Sequence, residues 1–216
     1  MNFLDSITYG NPTQEQVQDL KREGLVDELY QELVTYTFPV NTSEATKEEL
    51  NQIVDYINLV KDKEGYLKRY KAYDRNLRRS FSDFIFKDTD NKDEAMGKVE
   101  SIIQDTKPLL LKLKYHFNRP RPYQLAQYYK LKLFPFESHS ADSPSFPSGH
   151  AFMGRLITQV IGNNYPQIYA LMDKIFMDIC YSRVYMGLHY QSDIDVGIFC
   201  ADKVLQLPIF KEKYNL

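Results

Sequence analysis

The sequence has no tryptophan, two cysteines, four histidines and nine glycines in 216 residues. Each scarcity removes a class of protein. Cys180 and Cys200 both sit among apolar neighbours; two cysteines cannot staple a small secreted fold, and buried free thiols are the expected state. His116, His139, His150 and His189 occur without any Cys-x-x-Cys or His-Glu-x-x-His pattern, so neither a metal site nor another cofactor is expected. The most apolar stretch, Leu156 to Met172, is interrupted by Gln159, Asn163, Asn164 and Pro166, which excludes a bilayer span on sequence grounds. Residues 1–10 carry Asp5 and have neither a basic nor an apolar leader region, which predicts a soluble, cytoplasmic chain. Basic and acidic residues nearly balance, 27 against 29, for a net charge of −2. No global positive field therefore gathers duplex nucleic acid or an anionic membrane. Any anion-binding site must be local, and self-association is left open.

What the chain has instead is helical periodicity, with 43% hydrophobic residues to bury. The pattern predicts an all-α helical bundle, one domain over 1–216, in which helices of residues 1–105 pack on a core formed by 106–216. Thr13 and Gln16 read as a capping box ahead of Val17, Leu20, Leu25, Leu29 and Leu33, with Gly24 a weak point in that helix. Thr46 and Glu49 read as a second box, ahead of an amphipathic run that extends toward Leu77. A polar break is expected at Asp88 to Asp93. The next helix is expected to end near Thr106-Lys107-Pro108, and another to run from Pro108 to about Asn118, because proline suits a first turn and breaks an interior. Residues 119–147 hold five prolines and read as a long loop, and such loops inside compact domains are usually functional. Helices are expected from Pro147-Ser148-Gly149, from about Pro166 to Tyr185, and from about His189 to Leu205.

Three clusters carry the chemistry. Lys114, Arg121 and Arg183 supply three positive charges, enough for the roughly two negative charges of a phosphate monoester, and arginine adds planar bidentate geometry. Ser148 and Gly149 at a helix start offer a hydroxyl and backbone N–H groups to an anion, and His150 in the first turn could protonate a leaving oxygen. His189 and Asp193 are four residues apart, so on a helix the carboxylate can fix the imidazole tautomer and leave the other ring nitrogen as a nucleophile. Asp195, two residues beyond Asp193 and about 200° further round such a helix, is the poorer partner. His116 and Arg119 read as surface or helix-end groups, and His139 as solvated.

Taken together, Lys114-x6-Arg121-Pro122, Pro147-Ser148-Gly149-His150 and Ser182-Arg183-x5-His189-x3-Asp193 resemble the three-part signature of the type 2 phosphatidic acid phosphatase superfamily, which includes bacterial class A acid phosphatases and vanadium haloperoxidases. All the fixed positions match, in order, over residues 114–193. The resemblance implies a helical bundle acting on a small phosphorylated substrate without a metal. Lys114, Arg121 and Arg183 would hold the phosphoryl oxygens, with Ser148 and Gly149 donating to them. His189 would be the nucleophile, Asp193 its orienting partner and His150 the acid, with a phosphohistidine as intermediate. Pro120 rules out two-turn helix spacing between Lys114 and Arg121, so their convergence is implied by the resemblance alone. Two histidines with opposite jobs predict a bell-shaped kcat/KM with limbs near their ordinary pKa of about 6.5 and an optimum on the acid side of neutrality. The alternatives are a vanadium-dependent haloperoxidase using the same pocket, and a non-catalytic phosphate-binding or structural protein.

Overall fold

The computed structural model describes residues 2–85 and 92–216, and among them the regular elements are helices. In chain order they are α1 (Gln14–Lys21), α2 (Tyr30–Leu33), α3 (Glu44–Val60), α4 (Glu64–Arg75), α5 (Leu77–Ile85), α6 (Lys92–Phe117), α7 (Pro122–Ala126), α8 (Gly149–Asn164), α9 (Tyr169–Tyr185), α10 (Gln191–Val204) and α11 (Pro208–Tyr214). Among the described residues no helix is long and apolar enough to cross a membrane. The all-α expectation holds. The polar break expected at Asp88 to Asp93 lies outside the described residues except for Lys92 and Asp93, which open α6.

The centre of the molecule is α8, buried on nearly every side through Phe152, Leu156, Ile157, Val160 and Ile161. A helix that is apolar all round must be enclosed, and α8 packs against α6, α9 and α10. The N-terminal helices wrap this core: α1 and α2 lie on α6, while α3 and α4 lie on α9. Ser148 is the N-cap of α8 and its hydroxyl accepts the Ala151 N–H, so the helix starts where the Pro-Ser-Gly run places it.

Several boundaries differ from the sequence reading, each for a physical reason. The break expected at Pro108 is absent, and α6 runs through it. Pro108 still lacks its N–H, but the Asp105 carbonyl accepts the N–H of Leu25 from the N-terminal segment, and Leu109, Leu110, Leu111 and Leu113 are buried beyond it. Gly24 is the reason that segment can come so close. A Cβ there would lie 3.1 Å from the Asp105 carbonyl oxygen and 3.2 Å from Pro108 Cβ, so the glycine marks a crossing, and α1 ends before it at Lys21. The Thr13–Gln16 capping box is present, but the cap of α3 is Ser43, three residues before Thr46. That frees Glu49 for another use. The run toward Leu77 is three helices, α3 to α5, and Pro208, expected to lie beyond the last helix, opens α11.

Gly197 is where α10 meets the first turn of α8. A Cβ there would sit 2.7 Å from the Ser148 carbonyl oxygen and 3.0 Å from Ala151 Cβ, and a backbone oxygen at a helix start cannot move aside. Gly197→Ala is expected to destabilise the fold by about 1–3 kcal/mol through overpacking, read as a lower urea midpoint; an unchanged midpoint would show that the two helices can separate at no cost.

Candidate active site

The three motifs, far apart in sequence, meet at one buried point. Lys114 lies in the last turn of α6, Arg121 is the N-cap of α7, Gly149 and His150 open α8, Arg183 ends α9, and Asp193 is in the first turn of α10. Backbone hydrogen bonds stitch them together: Ser148 N–H to the Asp193 carbonyl at 2.9 Å, Leu188 N–H to the Arg183 carbonyl at 3.0 Å, and Ser145 N–H to the Arg119 carbonyl at 3.0 Å. Gly149 packs closely on α6: a Cβ there would press on Leu110 Cδ2 at 3.3 Å and come into ordinary contact with Lys114 Cε at 3.7 Å.

His189 and Asp193 pair as expected, by a different local geometry. His189 precedes α10, whose N-cap is Tyr190, so the two do not share a helical face. Asp193 reaches back from the first turn, and its Oδ2 accepts both the Tyr190 N–H at 3.0 Å and the His189 Nδ1–H at 3.0 Å. The same oxygen accepts the Ser145 hydroxyl, and Oδ1 accepts Arg119 Nη1 at 2.6 Å. Every acceptor site on this carboxylate is engaged, so its position is over-determined. Burial pushes the Asp193 carboxyl up, but the Arg119 charge, the His189 contact and the Ser145 hydroxyl outweigh it and hold the group below the usual carboxylate range. With Nδ1 committed to Asp193, the His189 lone pair is on Nε2, where it accepts Arg121 Nη1 at 2.9 Å. Asp195 is exposed and bonded to Gln191, away from His189.

Two of the three cations lack the carboxylates that buried cations ordinarily find. Arg121 gives Nε and Nη2 to the Ser143 carbonyl and Nη1 to the Leu188 carbonyl. Lys114 Nζ donates to the Pro144 carbonyl at 2.6 Å. Only Arg183 meets a carboxylate, Asp74, with Nη1 to Oδ1 at 2.7 Å, and its buried Nε has no partner. Burial, then the neighbouring guanidinium of Arg121, lowers the Lys114 ammonium well below its ordinary value. Burial and the charge of Arg183 push Arg121 down to about 10. Burial also depresses both histidines, with Arg183 acting next on His150 and Arg121 next on His189, so both rings are held neutral well below the usual histidine range. His150 Nε2 lies 3.4 Å from the Tyr73 carbonyl.

Sequence reasoning missed two groups and misjudged one. Asp74, on the buried face of α4, accepts the Ser138 and Ser140 hydroxyls, the His139 N–H and Arg183; an acid among Tyr70, Tyr73 and Leu77 on an apolar stripe was the available signal. Glu49 accepts the Ser192 N–H at 2.7 Å and its hydroxyl at 2.9 Å. Arg119, read as a surface group, is 1% exposed and ion-paired to Asp193 and Glu49. Across Pro120, Arg119 and Arg121 bracket the His189–Asp193 pair, one on the carboxylate and one on the imidazole. His116 is exposed and faces the Tyr30 hydroxyl, and His139 is exposed. The stretch expected as one long loop contains α7, and its segment 138–145 lies across the cations. Among the described residues no group of three or more His, Cys, Asp or Glu is arranged to hold a metal ion.

Residues 106–201 match the family model of the PAP2 superfamily, a span that contains all three motifs. Among solved structures, the first bacterial vanadium-dependent iodoperoxidase superimposes with a TM-score of 0.60 at 17% identity, over 82% of this chain and 51% of its own. The chain thus spans about half the length of that protein, and the likeness is one of fold. A transmembrane PAP2-type phosphatidylglycerolphosphate phosphatase from Bacillus subtilis matches over 88% of this chain and 82% of its own, at 18% identity and a TM-score of 0.35. No curated protein matches the sequence. The three motifs and the helical core that joins them lie within the matched segment, so the likeness to the PAP2 superfamily is carried by residues 106–201.

Proposed function

We propose that the chain is a metal-independent phosphohydrolase that cleaves phosphomonoesters or nucleotides through a phosphohistidine. One observation carries the reading. Lys114, Arg121 and Arg183 are buried together, and only Arg183 touches a carboxylate, Asp74, so Lys114 and Arg121 meet carbonyls and an imidazole in place of a direct counter-ion. Burying unpaired charge is costly, so the pocket is built for an anion that is not part of the chain. The Ser143 and Pro144 carbonyls hold Arg121 and Lys114 in its place, and substrate oxygens would displace them. The likeness of residues 106–201 to the PAP2 superfamily, whose members include phosphatases, supports hydrolysis of a phosphoric ester.

In this reading Arg121 turns from His189 Nε2 to a phosphoryl oxygen and frees the ring nitrogen. Nε2 attacks phosphorus, the ester P–O bond breaks, and His150 gives its proton to the leaving oxygen. Water then attacks phosphorus, the P–N bond breaks, His150 recovers a proton from that water, and inorganic phosphate leaves. Asp193 holds the cationic ring between the two steps, while the cations stabilise the equatorial oxygens, each such donor being worth about 10²–10³ in rate. Release of inorganic phosphate from a panel of phosphomonoesters and nucleotides tests the reading, with EDTA expected to leave the rate unchanged. Vanadate is expected to inhibit, because an oxyanion that takes five-coordinate geometry among the same three cations resembles the transition state. No phosphate release from any member of the panel, or halide oxidation by peroxide with vanadate in its stead, would overturn it.

The pH dependence differs from the sequence expectation. A neutral His189 whose protonation is pushed well below 6.5 moves the acid limb of kcat/KM far to the acid side. His150 is also neutral before substrate binds, so its proton must arrive with the monoanion of the substrate, which disappears above a pKa of about 6. Activity is expected to fall as pH rises through that value, and His150→Ala is expected to flatten this limb for alkyl phosphates. Aryl phosphates, whose leaving group needs little protonation, are expected to lose less. Equal losses for both would assign His150 to binding.

A further inference from the structure

Asp193 is gripped from behind by a buried ladder that starts in the N-terminal helices. The Arg119 guanidinium lies 3.8 Å from the Tyr190 ring centroid and 5.0 Å from that of Phe38, and it bridges two carboxylates. Nη1 meets Asp193 Oδ1 at 2.6 Å and Nη2 meets Glu49 Oε2 at 3.2 Å. Arg119 Nη1 also donates to the Ser192 hydroxyl at 2.8 Å, and that hydroxyl donates to Glu49. Glu49 comes from α3, while its partners come from the Arg-Pro-Arg-Pro turn and the first turn of α10. A plainer reading is that Glu49 caps α10 through Ser192. That reading accounts for the Ser192 bonds and leaves its contact with Arg119 without a purpose.

The charges supply one. Arg119 and Asp193 alone form a neutral pair, in which the guanidinium draws the carboxylate's charge away from the imidazole. Adding Glu49 leaves the trio with one net negative charge beside His189. That surplus matches the positive charge the ring gains when it is phosphorylated. Besides Asp193, the charged groups that act on His189 are Arg121, before α7, and Lys114, from α6, both cations; Asp142 bears on Lys114, and Arg183 from α9 is paired with Asp74 from α4, so the ladder is the counterweight on the Asp193 side.

We propose that Glu49, acting through Arg119, is a positioning residue that keeps Asp193 a strong acceptor for His189 and stabilises the cationic histidine. The proposal rests on the nucleophilic reading of His189, and its test has an arm that needs no turnover. That arm is the low-field proton resonance of the His189 Nδ1–H, assigned by its loss in His189→Gln. Glu49→Gln leaves the Arg119 charge bearing wholly on Asp193, so the resonance is expected to move upfield. Arg119→Met removes that charge, so the resonance is expected to move downfield, and Glu49→Asp is expected to restore much of the wild-type position. In kinetics, Glu49→Gln is expected to lower kcat about tenfold with KM within about twofold, and to carry the acid limb of kcat/KM to lower pH. Arg119→Met is expected to carry that limb to higher pH.

Resonances that move the same way or not at all, or a loss confined to KM or to thermal stability, would reduce Glu49 to a cap of α10. If Arg119→Met fails to fold, the Glu49→Gln and Glu49→Asp pair decides, because Glu49 is partly exposed and its amide can still accept from Ser192. Opposite resonance shifts in a protein that releases no phosphate would leave the ladder standing and overturn the hydrolytic reading alone.

Discussion

His189→Ala is expected to abolish phosphomonoester turnover, with no detectable phosphate release and no effect on the helical content of the fold. The reason is specific to its placement. Nδ1–H is fixed on Asp193 at 3.0 Å, so His189 turns its Nε2 lone pair toward Arg121, and that lone pair is freed when Arg121 moves to the substrate. Lys114, Arg121 and Arg183 can bind a substrate but cannot form a bond to phosphorus at working pH. The variant is therefore expected to bind vanadate or phosphate with little loss while the reaction stops, a separation of binding from chemistry that equilibrium titration reads directly. An alkaline denaturing quench of the wild-type protein with labelled substrate is expected to trap acid-labile, base-stable label on His189. Label on Ser145 or Ser148, both buried beside the site, or residual turnover above a hundredth of wild type, would assign the nucleophile elsewhere.

The second large effect belongs to Asp193→Asn. Oδ2 accepts from His189, Ser145 and Tyr190, and Oδ1 from Arg119. An amide group presents N–H bonds at one of these two positions, so one way round it faces three donors and the other way it faces a guanidinium. Either orientation breaks the site. With the amide nitrogen toward the ring, His189 must take the other tautomer and lose its Nε2 lone pair; the corresponding exchange in a serine protease triad costs about 10⁴ in kcat, and a loss of that order is expected here. The substitution also strips Arg119 of a buried counter-charge, which removes about 3–5 kcal/mol from stability, so thermal unfolding has to accompany the kinetics. A variant that stays folded with kcat within tenfold of wild type would mean that Asp193 serves the fold and leaves the imidazole indifferent to its charge.

Much of this was legible in the linear order of residues. Apolar spacing located the helices, and Pro147-Ser148-Gly149 located the start of α8, because a proline, a hydroxyl and a glycine act within one turn and need no partner from elsewhere. The motif residues were legible for a related reason: their chemistry is intrinsic to the side chains. Where the reading failed, a local rule was overridden from a distance. Pro108 did not end a helix because the leucines beyond it, Leu109, Leu110, Leu111 and Leu113, are buried in the core. Thr46 and Glu49 had capping-box spacing, but the cap formed at Ser43, and Glu49 turned to residues more than sixty positions away.

By itself, then, the sequence determined an all-α chain, the residues that meet at the buried site, and the pairing of His189 with Asp193. The pairing survived even though the expected helical face did not form, because three intervening residues keep the two within reach in either geometry. Only the tertiary structure decided which charges lose their water. Arg119 and Arg121 are alike in sequence, two arginines each followed by proline, yet one is neutralised by Glu49 and Asp193 while the other meets only carbonyls and an imidazole. Burial and the choice of counter-ion depend on which helix packs over a residue, and no spacing along the chain encodes that. The same packing that leaves Lys114 and Arg121 without carboxylates turns three cations into a site for an anion.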